Sequence, residues 1–173
     1  MPERGSRVAI GITAGILAGL AGTAAMNAFW ATEAKITHRK RNPDESSTTR
    51  IAADLLRRFG ARAPARTARR TGGRVVHWGY GAAWGAIAGG LGSVGVRLDI
   101  GGGLPLGAAL WAAGDEWALY KLGYAKHPRE YPMRSHLESL AAHLAYGAGL
   151  WAALAAERKL GHSLASVRIA KAA

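Results

Sequence analysis

Four long runs of residues without a formal charge restrict the folds open to this chain of 173 residues. They hold 25, 22, 15 and 18 residues and lie at 8–32, 75–96, 100–114 and 139–156. About 20 apolar residues in a helix cross the roughly 30 Å hydrocarbon core of a bilayer. The third run reaches that length only if Asp115 and Glu116 lie within the membrane. We therefore predict an all-α integral membrane bundle that forms one domain over residues 1–173. Its four transmembrane helices are expected at about 8–31, 75–96, 101–120 and 136–156.

The glycine content supports a membrane location, since most of the 24 glycines lie inside these runs. A glycine inside a water-soluble helix costs about 1 kcal/mol relative to alanine. In membranes, glycine is common because it allows helices to approach closely. Gly11, Gly15 and Gly19 recur at four-residue spacing on one face of the first span, which predicts a close crossing with another helix. The short turn after residue 96 predicts that the second and third spans are antiparallel neighbours.

A polar connection, residues 32–74, follows the first span and carries twelve Lys and Arg against four acids. Within it, SSTTRIAADLLRRFG (46–60) predicts a short amphipathic helix with Ile51, Leu55 and Phe59 at four-residue spacing and Gly60 as its stop. Such a helix could lie on the membrane surface or pack on the ends of the spans, and the sequence favours neither alternative.

The net charge of +12 indicates a polyanionic neighbour, either anionic lipid or nucleic acid. Because the basic connection lies between two spans, we expect anionic membrane lipids and not nucleic acid as its partner. The sequence leaves a second copy of the chain or another membrane protein open as a further partner. The arginines expected to contact lipid headgroups are Arg57, Arg58, Arg62, Arg66, Arg69, Arg70 and Arg74.

The distribution of Lys and Arg predicts the orientation in the membrane. The connections 32–74 and 121–134 hold 12 and 4 of these residues, whereas the N-terminus, the turn at Arg97 and the tail hold 2, 1 and 4. The positive-inside rule therefore places both connections in the cytoplasm and both termini outside. The first run exceeds the roughly 7–15 apolar residues of a signal peptide, so we expect it to remain as a span.

Several polar side chains fall within the predicted spans, all towards the ends that join the two basic connections. A helical wheel brings His77, either Asp115 or Glu116, and His143 to one inward set, with Glu138 nearly opposite His136. Intramembrane ionisable groups are candidates for function, such as proton or solute handling, but they also form hydrogen-bonded clamps between helices. Both interpretations stay open for this cluster of His77, Asp115, Glu116 and His143, to which Asn27, His136 and Glu138 are possible additions.

Other chemistries find little support in the sequence. The absence of cysteine excludes disulfides and thiolate metal sites. GLGSVG at 90–95 matches a dinucleotide-binding pattern but follows no predicted strand, and His136, Glu138 and His143 lack zinc-protease spacing. No nucleophile motif is found. We therefore expect no enzymatic activity, no cofactor and no metal site.

Three segments, VHWGYGAAWGAIAGGLG, GAALWAAGDEWALYKLG and YPMRSHLESLAAHLAYGAGLW, occur in this order. Together they resemble the YagU-like family of small bacterial inner-membrane proteins, over about residues 8–157. The resemblance implies a multi-pass protein of the bacterial inner membrane and carries over no catalytic residue. The expected role is structural or permeation-related, with the polar cluster in the cytoplasmic leaflet. Proton or small-solute handling by that cluster is the alternative, followed by a membrane-bound enzyme.

Overall fold

A computed structural model describes residues 4–39 and 42–172, with side chains up to residue 160. It is helical, with no strand in the described residues, so the predicted all-α class is confirmed. The helices are α1 (Arg4–Thr37), α2 (Ser47–Arg58), α3 (Arg66–Gly92), α4 (Leu104–Leu110), α5 (Leu119–Lys121) and α6 (Met133–Ala172). A π-helix, Trp111–Ala118, joins α4 to α5, so that residues 104–121 form one continuous helical rod. Short 3₁₀ turns occur at Pro43–Glu45, Gly101–Gly103 and Pro128–Glu130.

Two helical segments are long and apolar enough, by length and composition, to cross a membrane: Arg4–Thr37 and Met133–Leu160. They contain the predicted spans 8–31 and 136–156. Most of the predicted span 75–96 lies in α3, which begins nine residues earlier, at Arg66, and ends at Gly92. The helix therefore extends beyond the predicted span into the basic segment, where it packs against α2.

Glycines bring α1 and α3 into backbone contact. A Cβ atom added at Gly15 would lie 2.2 Å from the carbonyl oxygen of Gly85, and one added at Gly19 would lie 2.2 Å from that of Gly81. A Cβ on Gly89 would likewise lie 2.1 Å from the Gly11 carbonyl oxygen. Any side chain would force these backbones apart, so the predicted close crossing of the first span is confirmed and its partner is α3.

A second set of glycine contacts places α6 between α1 and α4. The Gly147 position on α6 meets Gly103, with 2.1 Å from an added Cβ to the Gly103 carbonyl oxygen, and Gly107 meets the His143 carbonyl oxygen. On its other side, Gly149 lies against α1 at Gly22. The helices therefore pack in the order α3, α1, α6, α4.

This order shows that the expectation of neighbouring second and third spans was wrong, since among the described residues α3 packs on α1 and α4 packs on α6. Gly102 and Gly103 adopt positive φ angles of 67° and 75°, which favour glycine. They precede the rod 104–121, which begins beside α6.

Helix α2 forms where the sequence predicts it. The Ser46 hydroxyl oxygen accepts a hydrogen bond from the Thr49 backbone N–H at 3.2 Å, and Gly60 ends the segment with φ of 99°. The face that packs on α3 consists of small residues, Thr49, Ala52 and Ala53, and not of the predicted apolar stripe. On that stripe Ile51 is half-buried, whereas Leu55 and Phe59 are exposed, so α2 packs on α3 and still presents apolar side chains outward.

Asp99 anchors the turn between α3 and α4 to α6. Its side chain is buried, and Arg97 and Arg158 donate hydrogen bonds to its two carboxylate oxygens at 3.1 and 2.8 Å. Burial alone would raise the pKa of this carboxyl, but the hydrogen bonds from the two guanidinium groups outweigh it, and the pKa lies below its usual value.

We expect Asp99→Asn to lower the free energy of unfolding by about 1–3 kcal/mol, since hydrogen bonds to a charged group are lost. Because the folded-state pKa is depressed, this stabilisation is present above the unfolded pKa of about 3.9 and is lost as the pH falls below it. Unfolding measured between pH 6 and pH 3 should therefore show a smaller pH dependence for the variant. An equal pH dependence in both proteins would contradict the anchor.

Candidate functional site

The adjacent acids Asp115 and Glu116 lie in the π-helix Trp111–Ala118. Its i→i+5 hydrogen bonds widen the turn, so consecutive side chains are separated by less than the roughly 100° of an α-helix. Both acids consequently point to the same neighbour, α6. The helical wheel expected one of the two acids beside His143, and the structure places Asp115 there, whereas Glu116 contacts His136.

Asp115 contacts α6 one turn before His143. The Ser139 hydroxyl donates a hydrogen bond to Asp115 Oδ2, and His143 Nδ1 lies 3.9 Å from the same oxygen. The same ring nitrogen lies 2.9 Å from the Ser139 backbone carbonyl oxygen, which can only accept a hydrogen bond. Nδ1 therefore carries the hydrogen, and the Asp115 carboxylate lies close to that N–H as well.

Glu116 pairs with His136 at the beginning of α6. The Glu116 Oε1 atom lies 2.7 Å from His136 Nδ1, and the Pro128 carbonyl oxygen lies 3.1 Å from His136 Nε2. Both ring nitrogens thus face acceptors, and the doubly protonated imidazolium donates to both. If the ring is neutral, one of the two contacts needs a proton from elsewhere, such as a protonated Glu116.

His77 lies apart from these two pairs, at the crossing of α1 and α3. Its Nε2 atom is 3.1 Å from the Asn27 side-chain oxygen. The structure thus divides the predicted cluster into three couples, which are Asp115 with His143, Glu116 with His136, and His77 with Asn27.

Glu138 lies on another face of α6 and belongs to none of these couples. Arg39, after α1, donates a hydrogen bond to it at 3.1 Å, and Arg134, one turn before it, donates a second. Glu138 therefore ties the end of α1 to α6, and its separation from the histidines follows the helical wheel.

The two basic connections contact each other at this end of the bundle. The Tyr124 hydroxyl, from the second connection, donates to Asp54 of α2 at 2.9 Å, and Arg50 Nη1 lies 3.5 Å from the Tyr124 carbonyl oxygen. The hydrogen bond from Tyr124 and the nearby guanidinium groups hold the pKa of the Asp54 carboxyl below its usual value. Arg57 and Arg58, two of the predicted headgroup ligands, also pair with Asp54, at 3.5 and 3.1 Å.

The other predicted headgroup ligands divide into two kinds. Arg66 and Arg70 bind the Asp44 carboxylate at 2.6 and 2.8 Å, which fastens the turn before α2 to the first turns of α3. Arg62 and Arg74 are exposed, and Arg69 is half-buried.

Sequence reasoning missed three participants of the site. Ser139 precedes His143 by one helical turn, and this spacing could have identified it as a residue on the same face. Tyr146 donates its hydroxyl hydrogen to the Gly81 carbonyl oxygen at 2.7 Å, but a tyrosine in an apolar run carries no specific signal. The Pro128 carbonyl group is part of the backbone, so no residue type marks it.

The arrangement places ionisable side chains in couples. Within residues 4–39 and 42–160, no three His, Asp or Glu side chains converge in a way that could hold a metal ion. What the site can do chemically is to hold α6 against the π-helix, or to exchange protons between a carboxylate and an imidazole. Comparison with protein-family models, with curated proteins and with solved structures finds no match to this chain.

Proposed function

We propose that the chain is a four-pass membrane protein in which α1, α3, the rod 104–121 and α6 cross the bilayer. The observation that carries this proposal is the outward position of apolar side chains. Only 28% of the residues are buried in the apolar window of each candidate span. Large side chains such as Leu17 and Leu137 are 64% and 57% exposed, which suits a lipid surround.

The contacts at the two ends of the bundle support four passes. The basic connections meet through Tyr124 and Asp54 at one end. At the other end, Asp99 of the turn between α3 and α4 binds Arg158 of α6. The chain therefore traverses the bundle along α3 and returns along the rod 104–121. By the positive-inside rule, the basic connections are cytoplasmic and contact anionic lipids, and the resemblance to the YagU-like family favours a bacterial inner membrane.

The role that the geometry supports best is structural, without enzymatic activity. Each acid of the π-helix is held by side chains of α6, Asp115 by Ser139 and Glu116 by His136. In the opposite half of the bundle, α1 and α3 pack backbone against backbone at glycines. The acids thus act as a clamp between the rod 104–121 and α6. They lie in the half of the bundle where, among the described residues, no glycine brings these two helices into backbone contact.

Proton or small-solute handling at the cytoplasmic side is the second candidate. It is favoured by His136, whose two ring nitrogens both face acceptors, and by the π-helix that brings both acids to one face. π-Helical turns occur frequently at functional sites, and a histidine beside a carboxylate can change its charge near neutral pH.

Topology reporters test the number of passes. Alkaline phosphatase fused after residues 60 and 125 should be inactive, whereas the same enzyme fused after residue 98 should be active, because it folds only outside the cytoplasm. A cytoplasmic reporter such as green fluorescent protein, fused at the same positions, serves as the control with the inverse pattern. If only α1 and α6 cross the membrane, residue 98 stays on the same side as residue 60, and an inactive fusion there would refute four passes.

A further inference from the structure

A cavity of about 310 Å³ lies where α2, the first turns of α3 and the loop after α5 meet. It brings together the two basic connections, and the Tyr124 hydroxyl bonded to Asp54 helps to hold them in place. The polar residues that line it are Asp44, Thr49, Arg50, Arg57, Arg69 and Tyr124. Its volume lies at the small end of the about 300–1,000 Å³ range typical of ligand sites.

Three guanidinium groups line this cavity, and their donors are incompletely used. Arg69 Nε is buried and has no hydrogen-bond partner within the described part of the chain. A buried donor of a charged group is costly to leave unsatisfied and calls for an acceptor. Arg50 reaches the Tyr124 carbonyl oxygen only at 3.5 Å, and Arg57 reaches Asp54 at the same distance. Each guanidinium carries five N–H donors, so all three retain capacity for a ligand.

The acid that lines the cavity, Asp44, does not cancel this positive charge. Arg66 and Arg70 bind its carboxylate at 2.6 and 2.8 Å. Hydrogen bonds from Arg70 and Arg66 hold the pKa of the Asp44 carboxyl well below its usual range, so its negative charge is present and is balanced by these two neighbours. Asp54, which does not line the cavity, is shared by Arg57 and Arg58, so the guanidinium groups of Arg50, Arg57 and Arg69 leave the cavity with a net positive charge.

We propose that this cavity binds a phosphate group, held by Arg50, Arg57 and Arg69. Guanidinium groups match the geometry of phosphate oxygens and form paired, charge-assisted hydrogen bonds with them. Such a group can come from a phospholipid headgroup or from a soluble phosphate. The exposed Leu55 and Phe59 on the same helix α2 make the headgroup the nearer source. The cavity exists because the two basic connections contact each other, whether or not the chain spans a membrane. Only a phospholipid as the source of the phosphate group rests on the proposed function.

The test uses the full-length chain purified in an uncharged detergent and titrated by calorimetry. Inorganic phosphate is one probe, and short-chain phosphatidylglycerol, compared with short-chain phosphatidylcholine, is the other. We expect binding that Arg69→Gln weakens by about tenfold or more, the effect of losing a charge-assisted hydrogen bond. Arg7→Gln, which changes an exposed arginine of α1 that neither lines the cavity nor belongs to the predicted headgroup ligands, is the matched control and should bind as the wild type does.

The two probes distinguish the sources. Tighter binding of phosphatidylglycerol than of inorganic phosphate assigns the site to a headgroup, and the reverse assigns it to a soluble phosphate. If Arg69→Gln fails to fold, the exposed Arg50 is changed instead. Arg50→Gln should weaken binding by the same factor. Absence of binding by the wild type, or equal weakening in the Arg7 control, would overturn the proposal. Neither result depends on the number of passes, which the topology reporters measure separately.

Discussion

Replacing Gly85 by leucine is expected to remove most of the folded protein, because α1 and α3 could no longer reach their crossing distance. A Cβ atom at Gly85 would lie 2.2 Å from the Gly15 carbonyl oxygen and 2.6 Å from the Gly19 nitrogen. These are backbone atoms of a packed helix and cannot rotate away. Even Gly85→Ala should lower the free energy of unfolding by about 1–3 kcal/mol, the usual cost of overpacking. Monodisperse protein in gel filtration and the thermal unfolding midpoint measure both effects.

Gly79 provides a matched control on the same helix, since an added Cβ would meet nothing within 4 Å. Gly79→Ala should leave stability unchanged or raise it by up to about 1 kcal/mol, because alanine is the better helix former. If Gly79→Ala and Gly85→Ala destabilise the protein equally, the backbone contact between α1 and α3 is not what limits stability.

Replacing both acids of the π-helix by alanine is the second change with a large expected effect. Asp115→Ala removes the acceptor of the Ser139 hydroxyl, and Glu116→Ala removes the partner of His136. Hydrogen bonds to charged groups contribute about 1.5–3 kcal/mol each. The two carboxylates are 34% and 24% exposed, which reduces their contribution, so we expect a combined loss of about 2–4 kcal/mol.

The control for this double variant is Glu157→Ala, which removes an exposed acid from α6 and should change stability by less than about 0.5 kcal/mol. Unfolding is followed by tryptophan fluorescence in mixed micelles. A double variant as stable as the wild type would show that the contacts with α6 do not act as a clamp.

The single variant Asp115→Asn separates the two candidate functions. Asparagine keeps an oxygen that accepts from Ser139 but carries no exchangeable acidic proton. A structural clamp therefore predicts nearly wild-type stability and no change in proton flux across reconstituted vesicles. Proton handling predicts normal amounts of folded protein and a loss of flux. Since the wild-type protein must show flux for the second candidate to hold, its absence decides in favour of the clamp.

The sequence alone determined the helical class and one face of α1 at which another helix crosses closely. The length of an uncharged run identifies an apolar helix long enough to cross a bilayer, because that length depends only on the number of consecutive residues and the rise per residue. The four-residue spacing of Gly11, Gly15 and Gly19 identified one face of α1, because glycines at that spacing line up on a helix. The sequence also predicted the helix within residues 46–60, because its capping serine and its terminal glycine set the helix ends through local backbone contacts.

The polar cluster was only partly predictable. Counting residues from the span ends placed Asn27, His77, Asp115 and His143 towards one end of the bundle, because depth along a helix is proportional to residue number. The contacts of Asn27 with His77 and of Asp115 with His143 lie there, but the count did not identify the pairs. The pairing of Glu116 with His136 and the role of Ser139 were not predicted. A helical wheel assumes 3.6 residues per turn, and the π-helix departs from that assumption.

Only the tertiary structure decided which helices pack together and which side chains meet. The glycine face of α1 fits any closely approaching backbone, and the sequence does not say that α3 supplies it at Gly81, Gly85 and Gly89. The sequence also does not predict the π-helix, in which both acids contact α6. Composition and spacing fix properties that act along one helix. Partner choice depends on shape and charge brought together from distant parts of the chain, which the fold alone supplies.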